Sequence, residues 1–150
     1  MIQLPVNQKA PLDYEMLDRY DAGISLLGFE VKSLKLGRGN LAGAFVLVRG
    51  GEAYLVNTEI PPYQAGNTPL GYDPSRPRKL LLNRRELDTL AGAAKTRGLT
   101  LVPIRFYTKG PRIKLEFALA RRKKGKDKRA IIRSREAKRT IERALKHSGQ

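Results

Sequence analysis

The residues with the clearest chemistry are the cations of the last thirty positions. Thirteen of residues 121–150 are Lys or Arg, against three acids, so this segment holds +10 of the chain's formal net charge of +16. Side chains of this type and density neutralise phosphates, which makes a polyanion, and first of all a nucleic acid, the expected partner. If about six to eight phosphates are neutralised, affinity will fall with salt along a log–log slope of about −5 or steeper.

A second basic cluster lies inside the chain. Arg76, Arg78 and Lys79 follow a long segment rich in Pro, Gly and Asn, which has the character of a binding loop. The three cations suit contact with backbone phosphates, and a solvated loop face is the alternative. Within the same loop, Tyr63 and Tyr72 are candidates for stacking on bases.

Three further polar residues leave two interpretations open. Glu30 and Asp21 could accept hydrogen bonds from base amino groups or sugar hydroxyls, and a structural salt bridge explains them equally well. Asn40 could read a base edge or take a left-handed turn conformation.

Lys114 alternates with apolar neighbours and should face solvent, where it could either contact a phosphate or simply contribute to solubility. Tyr54 and Tyr107 fall in β-rich segments and are expected in the core.

The chain lacks the residues that most catalytic sites need. Its one histidine is His147 and it has no cysteine, which excludes histidine-based triads, multi-histidine metal sites, thiolate ligands and disulfides. The glycines at 37, 39 and 43 are spaced one residue too long for a dinucleotide fingerprint. We therefore expect no enzyme and no cofactor. With no signal peptide and no apolar run of membrane-spanning length, a cytoplasmic monomer without a membrane partner is expected.

The elements that would position these residues are mostly strands. The sequence predicts a short helix over residues 13–20, a strand over 24–36 interrupted near Gly28, and a hairpin of residues 44–49 and 52–57 around Gly50-Gly51. Asn83 and Glu86 form a capping-box pattern at the start of a helix.

The second half of the body completes a mainly β fold. Residues 99–107 and 112–119 predict another hairpin. Five or six strands with two or three short helices favour an OB-like β-barrel over residues 1–120. The basic tail, residues 121–150, should be disordered or partly helical alone, because residues 121–126 have no apolar side chain. A thin apolar stripe follows, formed by Ala130, Ala137, Ile141, Ala144 and Leu145.

Several strings together resemble one family. They are Asn7-x-x-Ala10-x-x-Asp13-Tyr14, Tyr20-Asp21-Ala22-Gly23-Ile24, Gly28-x-Glu30-Val31-Lys32-Ser33-Leu34, Gly37-Arg38-x-Asn40-Leu41, Asp73-Pro74-x-Arg76-x-Arg78-Lys79-Leu80-Leu81-Leu82-Asn83-x-x-Glu86-Leu87 and Lys123-Lys124-x-x-Asp127-Lys128-Arg129. From about residue 6 to residue 146 the chain resembles the small protein B (SmpB, SsrA-binding protein) family, the bacterial partners of transfer-messenger RNA (tmRNA).

The resemblance implies a fold and a function. The family has an OB-like barrel that clasps the tRNA-like domain of tmRNA, and a basic tail that becomes helical on the ribosome. The tail lies in the decoding centre and the empty mRNA channel, so that tmRNA can rescue ribosomes stalled on broken messages by trans-translation. The implied partners are tmRNA, the ribosome with its small-subunit rRNA, and elongation factor Tu through the shared tmRNA.

The resemblance and the basic clusters together give two sets of site residues. The tmRNA-binding set is Asn7, Asp21, Glu30, Lys32, Arg38, Asn40, Tyr63, Arg76, Arg78, Lys79, Leu81 and Lys114. The set for the decoding centre and mRNA channel is Lys123, Lys124, Asp127, Lys128, Arg129, Arg133, Arg135, Lys138, Arg139, Ala144 and Leu145.

The sequence departs from the family pattern at a few positions. Pro11-Leu12 stands where the family has a basic pair, and Arg122 stands at a glycine position. Lys126 replaces an aromatic residue or His before Asp127, and Ala137 replaces the usual Trp.

Two alternative functions stay open. The first is a general RNA-binding or ribosome-assembly protein, for which the same barrel and basic tail would be suitable. The second is an RNA-acting enzyme, which the lack of histidine in the body disfavours.

Overall fold

Six strands and three helices account for most of the computed structural model, which describes residues 3–123. In chain order they are α1 (Ala10–Asp13), β1 (Tyr14–Ile24), α2 (Gly28–Lys35), β2 (Phe45–Arg49), β3 (Glu52–Val56), β4 (Arg78–Leu81), α3 (Arg84–Ala94), β5 (Leu99–Lys109) and β6 (Arg112–Arg122), with a single 3-10 turn at Ala65–Asn67. None of the helices within this range is long and apolar enough to span a membrane.

The strands form one antiparallel sheet in the order β2-β3-β4-β1-β6-β5. The long strands β1, β6 and β5 make one wall, and β4, β3 and β2 curl away from it. The edge strands β2 and β5 approach each other, with α3 beside both, but no ladder joins them in the described part of the chain. The predicted OB-like, mainly β fold with short helices is confirmed, as a barrel left open between β2 and β5.

The core fills the inside of this curled sheet. Its fully buried members include Leu55 of β3, Leu90 of α3, and Leu115 and Phe117 of β6. Leu34 of α2 belongs to the same cluster, which holds the helix against the core. Burial of large side chains from every layer makes this cluster the main stabilising contribution.

The two predicted hairpins and the helix α3 are confirmed. Gly50 and Gly51 have φ values of 62° and 76°, which the tight turn between β2 and β3 requires. At the start of α3 the Glu86 N–H donates to Asn83 Oδ1 at 2.8 Å, and the Asn83 N–H donates to Glu86 Oε1 at 3.1 Å. Both halves of the capping box are therefore formed.

Two predicted elements are wrong. Residues 14–24 form β1 and not a helix, because they pair along nearly their whole length with β6 and then with β4. Residues 28–35 form α2 and not a strand. Glu30, Ser33 and Leu34 are its buried residues, a helical spacing that the apparent alternation concealed.

The last strand extends two residues beyond Ala120, the position after which the composition changes. Arg121 and Arg122 continue β6, opposite Glu15 and Tyr14 of β1. The tail segment that follows Lys123 lies outside the described residues. The same segment contains the predicted tail helix and the predicted site residues Lys124, Asp127, Lys128, Arg129, Arg133, Arg135, Lys138, Arg139, Ala144 and Leu145.

Candidate nucleic-acid interface

A buried ionic cluster organises one end of the barrel. The Glu30 carboxylate on α2 has no exposed surface, and neither has the Arg78 side chain at the start of β4. Arg78 donates to Glu30 Oε2 from Nε at 3.1 Å and from a terminal nitrogen at 2.6 Å. Arg76, which is partly exposed, donates to the same carboxylate at 2.6 and 3.1 Å. The Leu27 N–H completes the set at 2.8 Å and begins the helix.

This cluster fastens the long loop between β3 and β4 to α2. Arg78 also donates to the carbonyl oxygens of Thr58 at 2.6 Å and Pro74 at 2.9 Å, at the two ends of the loop. The Tyr72 hydroxyl lies 2.8 Å from Glu30 Oε2 and 2.7 Å from the Ile60 carbonyl oxygen, so its single proton serves one acceptor at a time. The loop is therefore held at both ends and in the middle.

Hydrogen bonds outweigh burial in setting the charge of Glu30. Burial alone would raise the pKa of this carboxyl, but the bonds from Arg76, the Leu27 N–H, Arg78 and Tyr72 lower it to about 2. The same environment raises the pKa of Tyr72 to about 12, chiefly through burial and then through its hydrogen bond to Glu30. Glu30 is thus a carboxylate, and Tyr72 a neutral phenol, across the physiological range.

The depressed pKa predicts a loss of stability in acid. The Glu30 pKa is about 2 in the folded chain against 4.5 for the free side chain, so the folded chain binds this proton more weakly. The stabilisation is fully present above about pH 4.5 and is lost as the pH falls toward 2, by an amount on the order of 3 kcal/mol. Urea unfolding midpoints measured between pH 6 and pH 2.5 will report the decline.

A Glu30→Gln variant provides the matched control. It will be less stable at neutral pH because it no longer offers a charged acceptor to two guanidinium groups. Its unfolding midpoint will lack the Glu30 part of the decline below pH 4.5. A decline of the same size in both chains would contradict the assignment.

A mostly exposed polar surface, which we call the α2 face, is formed by Lys32 of α2, by Arg38 and Asn40 in the segment that follows it, and by the half-buried Tyr63 of the loop between β3 and β4. The Lys32 ammonium lies 5.5 Å from the centroid of the Tyr63 ring, and Arg38 donates to the Tyr63 carbonyl oxygen at 3.3 Å. The exposed Asn40 accepts the Ala42 N–H at its carboxamide oxygen at 2.9 Å, so its NH₂ group takes no part in this bond. Two cations beside an aromatic ring suit phosphate and base contacts.

A groove lies on the other side of α2. It has a volume of about 920 Å³ and an apolar wall that includes Gly23, Leu81 and Val31. Its cationic rim consists of Lys109, Arg112 and Lys114. Since Val31 lines the groove and Lys32 belongs to the α2 face, the helix separates two surfaces that could bind one extended ligand. We call this second surface the β-sheet groove.

Strand register brings the candidates in the groove together. Gly23 pairs with Leu81 of β4 on one side and with Lys114 of β6 on the other, and Lys114 pairs with Tyr107 of β5. The four residues therefore form one row across the outer face of the sheet. Having no side chain, Gly23 leaves space between an exposed leucine and a lysine.

Asp21 neutralises part of this row. The Tyr107 hydroxyl donates to Asp21 Oδ2 at 2.7 Å, and the Lys114 ammonium lies 3.5 Å from the same oxygen. The hydrogen bond from Tyr107, followed by the charge of Lys114, lowers the pKa of Asp21. The carboxylate thereby orients the lysine and the phenol at the edge of the groove.

The structure divides the predicted tmRNA-binding set by exposure. Asp21, Lys32, Arg38, Asn40, Lys79 and Leu81 are exposed, and Tyr63, Arg76 and Lys114 are half-buried. The prediction that Glu30, Arg78 and Asn7 contact RNA directly needs correction, because all three side chains are buried. Glu30 and Arg78 neutralise each other inside the protein, and the Asn7 carboxamide donates to the Pro103 carbonyl oxygen at 2.9 Å.

The tyrosines also differ from expectation. The rings of Tyr72 and Phe29 are nearly perpendicular, with centroids 4.7 Å apart, and the Tyr72 hydroxyl bonds within the ionic cluster, so Tyr72 has a structural role. Tyr54 and Tyr107 are half-buried on the outer face of the sheet, not in the core. The β-rich segments around the two tyrosines correctly predicted that both lie in the sheet. They did not indicate which face of the sheet each side chain occupies.

Sequence reasoning missed two cations of the groove. Lys109 and Arg112 flank the turn between β5 and β6 and belong to the groove rim. The signal was available, since both residues adjoin a predicted hairpin turn that ends near Lys114. Within residues 3–123, no group of three or more His, Cys, Asp or Glu side chains is placed to hold a metal ion.

Comparison with known proteins gives one consistent result. The family model described as SmpB protein matches residues 4–147. The SsrA-binding protein of Roseiflexus castenholzii is 49% identical over 140 residues, 93% of this chain and 89% of that protein. The SsrA-binding protein of Carboxydothermus hydrogenoformans is 48% identical over 140 residues, 93% of each chain.

A solved structure agrees with these relatives. It is described as "tmRNA-SmpB: a journey to the center of the bacterial ribosome", and one of its chains superimposes with a TM-score of 0.69 at 40% identity. The match covers 95% of this chain and 97% of that one. With its fold, its motifs and nearly its whole length in agreement, the chain belongs to the SmpB protein family.

Proposed function

We propose that this chain binds the tRNA-like domain of tmRNA through its body and acts on stalled ribosomes through its basic tail. In this role the tail occupies the decoding centre and the empty mRNA channel, so that tmRNA enters without codon–anticodon pairing and trans-translation proceeds. The partners are tmRNA, the ribosome with its small-subunit rRNA, and elongation factor Tu through the shared tmRNA. The cytoplasm is the place of action.

The observation that carries the proposal is the pair of surfaces on either side of α2. The α2 face supplies two cations and an aromatic ring, and the β-sheet groove supplies an apolar wall with three cations on its rim. Recognition of a folded RNA uses such combinations, with cations on the backbone and planar groups on unstacked bases. The relatives named SsrA-binding proteins support tmRNA as the RNA.

The residues of the site take two roles in this proposal. Lys32, Arg38, Asn40 and Tyr63 contact RNA from the α2 face. Around the β-sheet groove and the loop, the contacts are made by Asp21, Arg76, Lys79, Leu81 and Lys114, together with Lys109 and Arg112. Glu30, Arg78 and Asn7 hold the elements that carry these residues. The proposed function is binding, not catalysis, which the relatives named SsrA-binding proteins support.

A competition experiment tests the proposal. The full chain, bound to a labelled tRNA-like domain at physiological salt, is challenged with the unlabelled domain or with an unrelated RNA of equal length. Charge attracts both RNAs, but only the tRNA-like domain can match both surfaces at once, so we expect it to compete at a concentration at least about tenfold lower.

Equal competition by the two RNAs would contradict the proposal and favour a general RNA-binding or ribosome-assembly protein. Arg38→Gln supplies a matched variant, because it removes one exposed cation of the α2 face without touching the buried cluster. It should reduce affinity for the tRNA-like domain more than affinity for the unrelated RNA.

A further inference from the structure

The chain leaves the body through a set of contacts that we call the tail clamp: Pro11, Asp13 and Tyr14 with Arg122 and Lys123. The Lys123 N–H donates to the Asp13 carbonyl oxygen, and the Lys123 ammonium donates to the Pro11 carbonyl oxygen, each at 2.9 Å. The Arg122 guanidinium lies 5.0 Å from the centroid of the Tyr14 ring and donates to its hydroxyl at 3.1 Å.

The N-terminal half of the tail clamp is itself fixed to the sheet. The buried Asn7 donates from its backbone to the Ile104 carbonyl oxygen at 2.7 Å and from its carboxamide to that of Pro103 at 2.9 Å. Its carboxamide oxygen accepts the Ala10 N–H at 3.2 Å. Ala10 packs against Val102 and Ala120 in a small separate core. The carbonyl groups that hold Lys123 are therefore anchored to β5.

The end of β6 is held by more contacts than the end of a strand normally has. The last residues of a strand fray unless other groups hold them. Here Arg122 is paired in the sheet, stacked on an aromatic ring and hydrogen-bonded, and Lys123 is held twice beyond the last strand pair.

We propose that the tail clamp sets the direction in which the chain continues after Lys123, so that Arg122 and Lys123 are positioning residues for the tail. The inference rests on the proposed function, because the direction matters only if the tail must reach a fixed place while the body holds tmRNA. Loss of these contacts would change the point and the direction from which the tail starts. In general, misplacing a working group by an ångström can cost on the order of 10²-fold in rate.

The test compares Lys123→Met with Lys123→Arg in the full chain. Methionine keeps the aliphatic stem but cannot donate to Pro11, whereas arginine keeps both the charge and the donor. We expect Lys123→Met to tag stalled peptides roughly tenfold more slowly, with tmRNA affinity within about twofold, and Lys123→Arg to remain close to the unsubstituted chain. Hydrogen exchange at the residue 123 amide should be about fivefold faster in Lys123→Met.

Two further variants separate charge from position. Arg97→Gln removes one exposed cation from the turn after α3 and should leave tagging unchanged. Arg122→Met keeps the aliphatic stem but removes the cation and the hydrogen bond to Tyr14, and it should slow tagging as Lys123→Met does. Unchanged tagging in Lys123→Met and Arg122→Met, or an unprotected residue 123 amide in the unsubstituted chain, would overturn the inference. Absence of tagging by the unsubstituted chain would refute the proposed function instead, and the amide protection would still decide whether the tail clamp exists.

Discussion

A chain cut after Lys123 will bind the tRNA-like domain of tmRNA but will not support peptide tagging on stalled ribosomes. Every element from α1 to β6 precedes the cut, so the core and both candidate RNA surfaces remain. The removed segment holds ten Lys or Arg, and its loss lowers the non-specific part of the affinity. Equilibrium binding and an in vitro tagging assay, run beside the full chain, measure the two effects.

The position of the cut matters for this experiment. A cut after Ala120 would remove Arg121 and Arg122, which pair with β1, and Lys123, which bonds to Asp13. That shorter chain would mix loss of the tail with damage to the sheet edge. Equal urea midpoints for the full chain and the chain cut after Lys123 establish that the body is intact. Full tagging activity in the cut chain would contradict the role proposed for the tail.

Replacing Arg78 with methionine will destabilise the body by about 3–5 kcal/mol, the usual effect of removing one partner from a buried ion pair. Glu30 would retain a buried charge with one guanidinium fewer, and the carbonyl oxygens of Thr58 and Pro74 would lose their donor. The loop between β3 and β4 would then be held less firmly against α2. Urea unfolding at neutral pH measures the change.

The neighbouring Lys79 supplies the matched control. Its ammonium pairs with Glu52 at 2.7 Å on the outer face of the sheet, where the two side chains are 46% and 40% exposed. Lys79→Met should therefore leave the unfolding midpoint almost unchanged. If Arg78→Met and Lys79→Met unfolded at the same urea concentration, the buried cluster would not stabilise the fold as described.

Local signals were sufficient to predict part of the fold. The Gly50-Gly51 turn and the Asn83–Glu86 capping box depend on residues within four positions of each other, and both formed as predicted. The segments 14–24 and 28–35 were misassigned because distant partners decide them. The first acquires its strand structure from β6, and the second begins with a carboxylate whose charge is balanced by arginines more than forty residues away.

The candidate site was predictable only in its composition. The resemblance indicated Leu81 and Lys114, but the row that they form through Gly23 depends on strand register, which the sequence alone did not specify. The resemblance placed Glu30 in the RNA-binding set, with a structural salt bridge as the open alternative, and the basic cluster beside the loop placed Arg78 there. Their mutual neutralisation inside the protein makes burial tolerable, and only the packing of α2 against β4 brings them together.

The central claim is that the body, and not the tail's charge, selects the tRNA-like domain. The most direct measurement is the ratio of dissociation constants for an unrelated RNA of equal length and for the tRNA-like domain, taken with the chain cut after Lys123. Without the tail's non-specific attraction, the ratio should exceed that of the full chain and reach on the order of 10². A ratio near one in the cut chain would contradict the account.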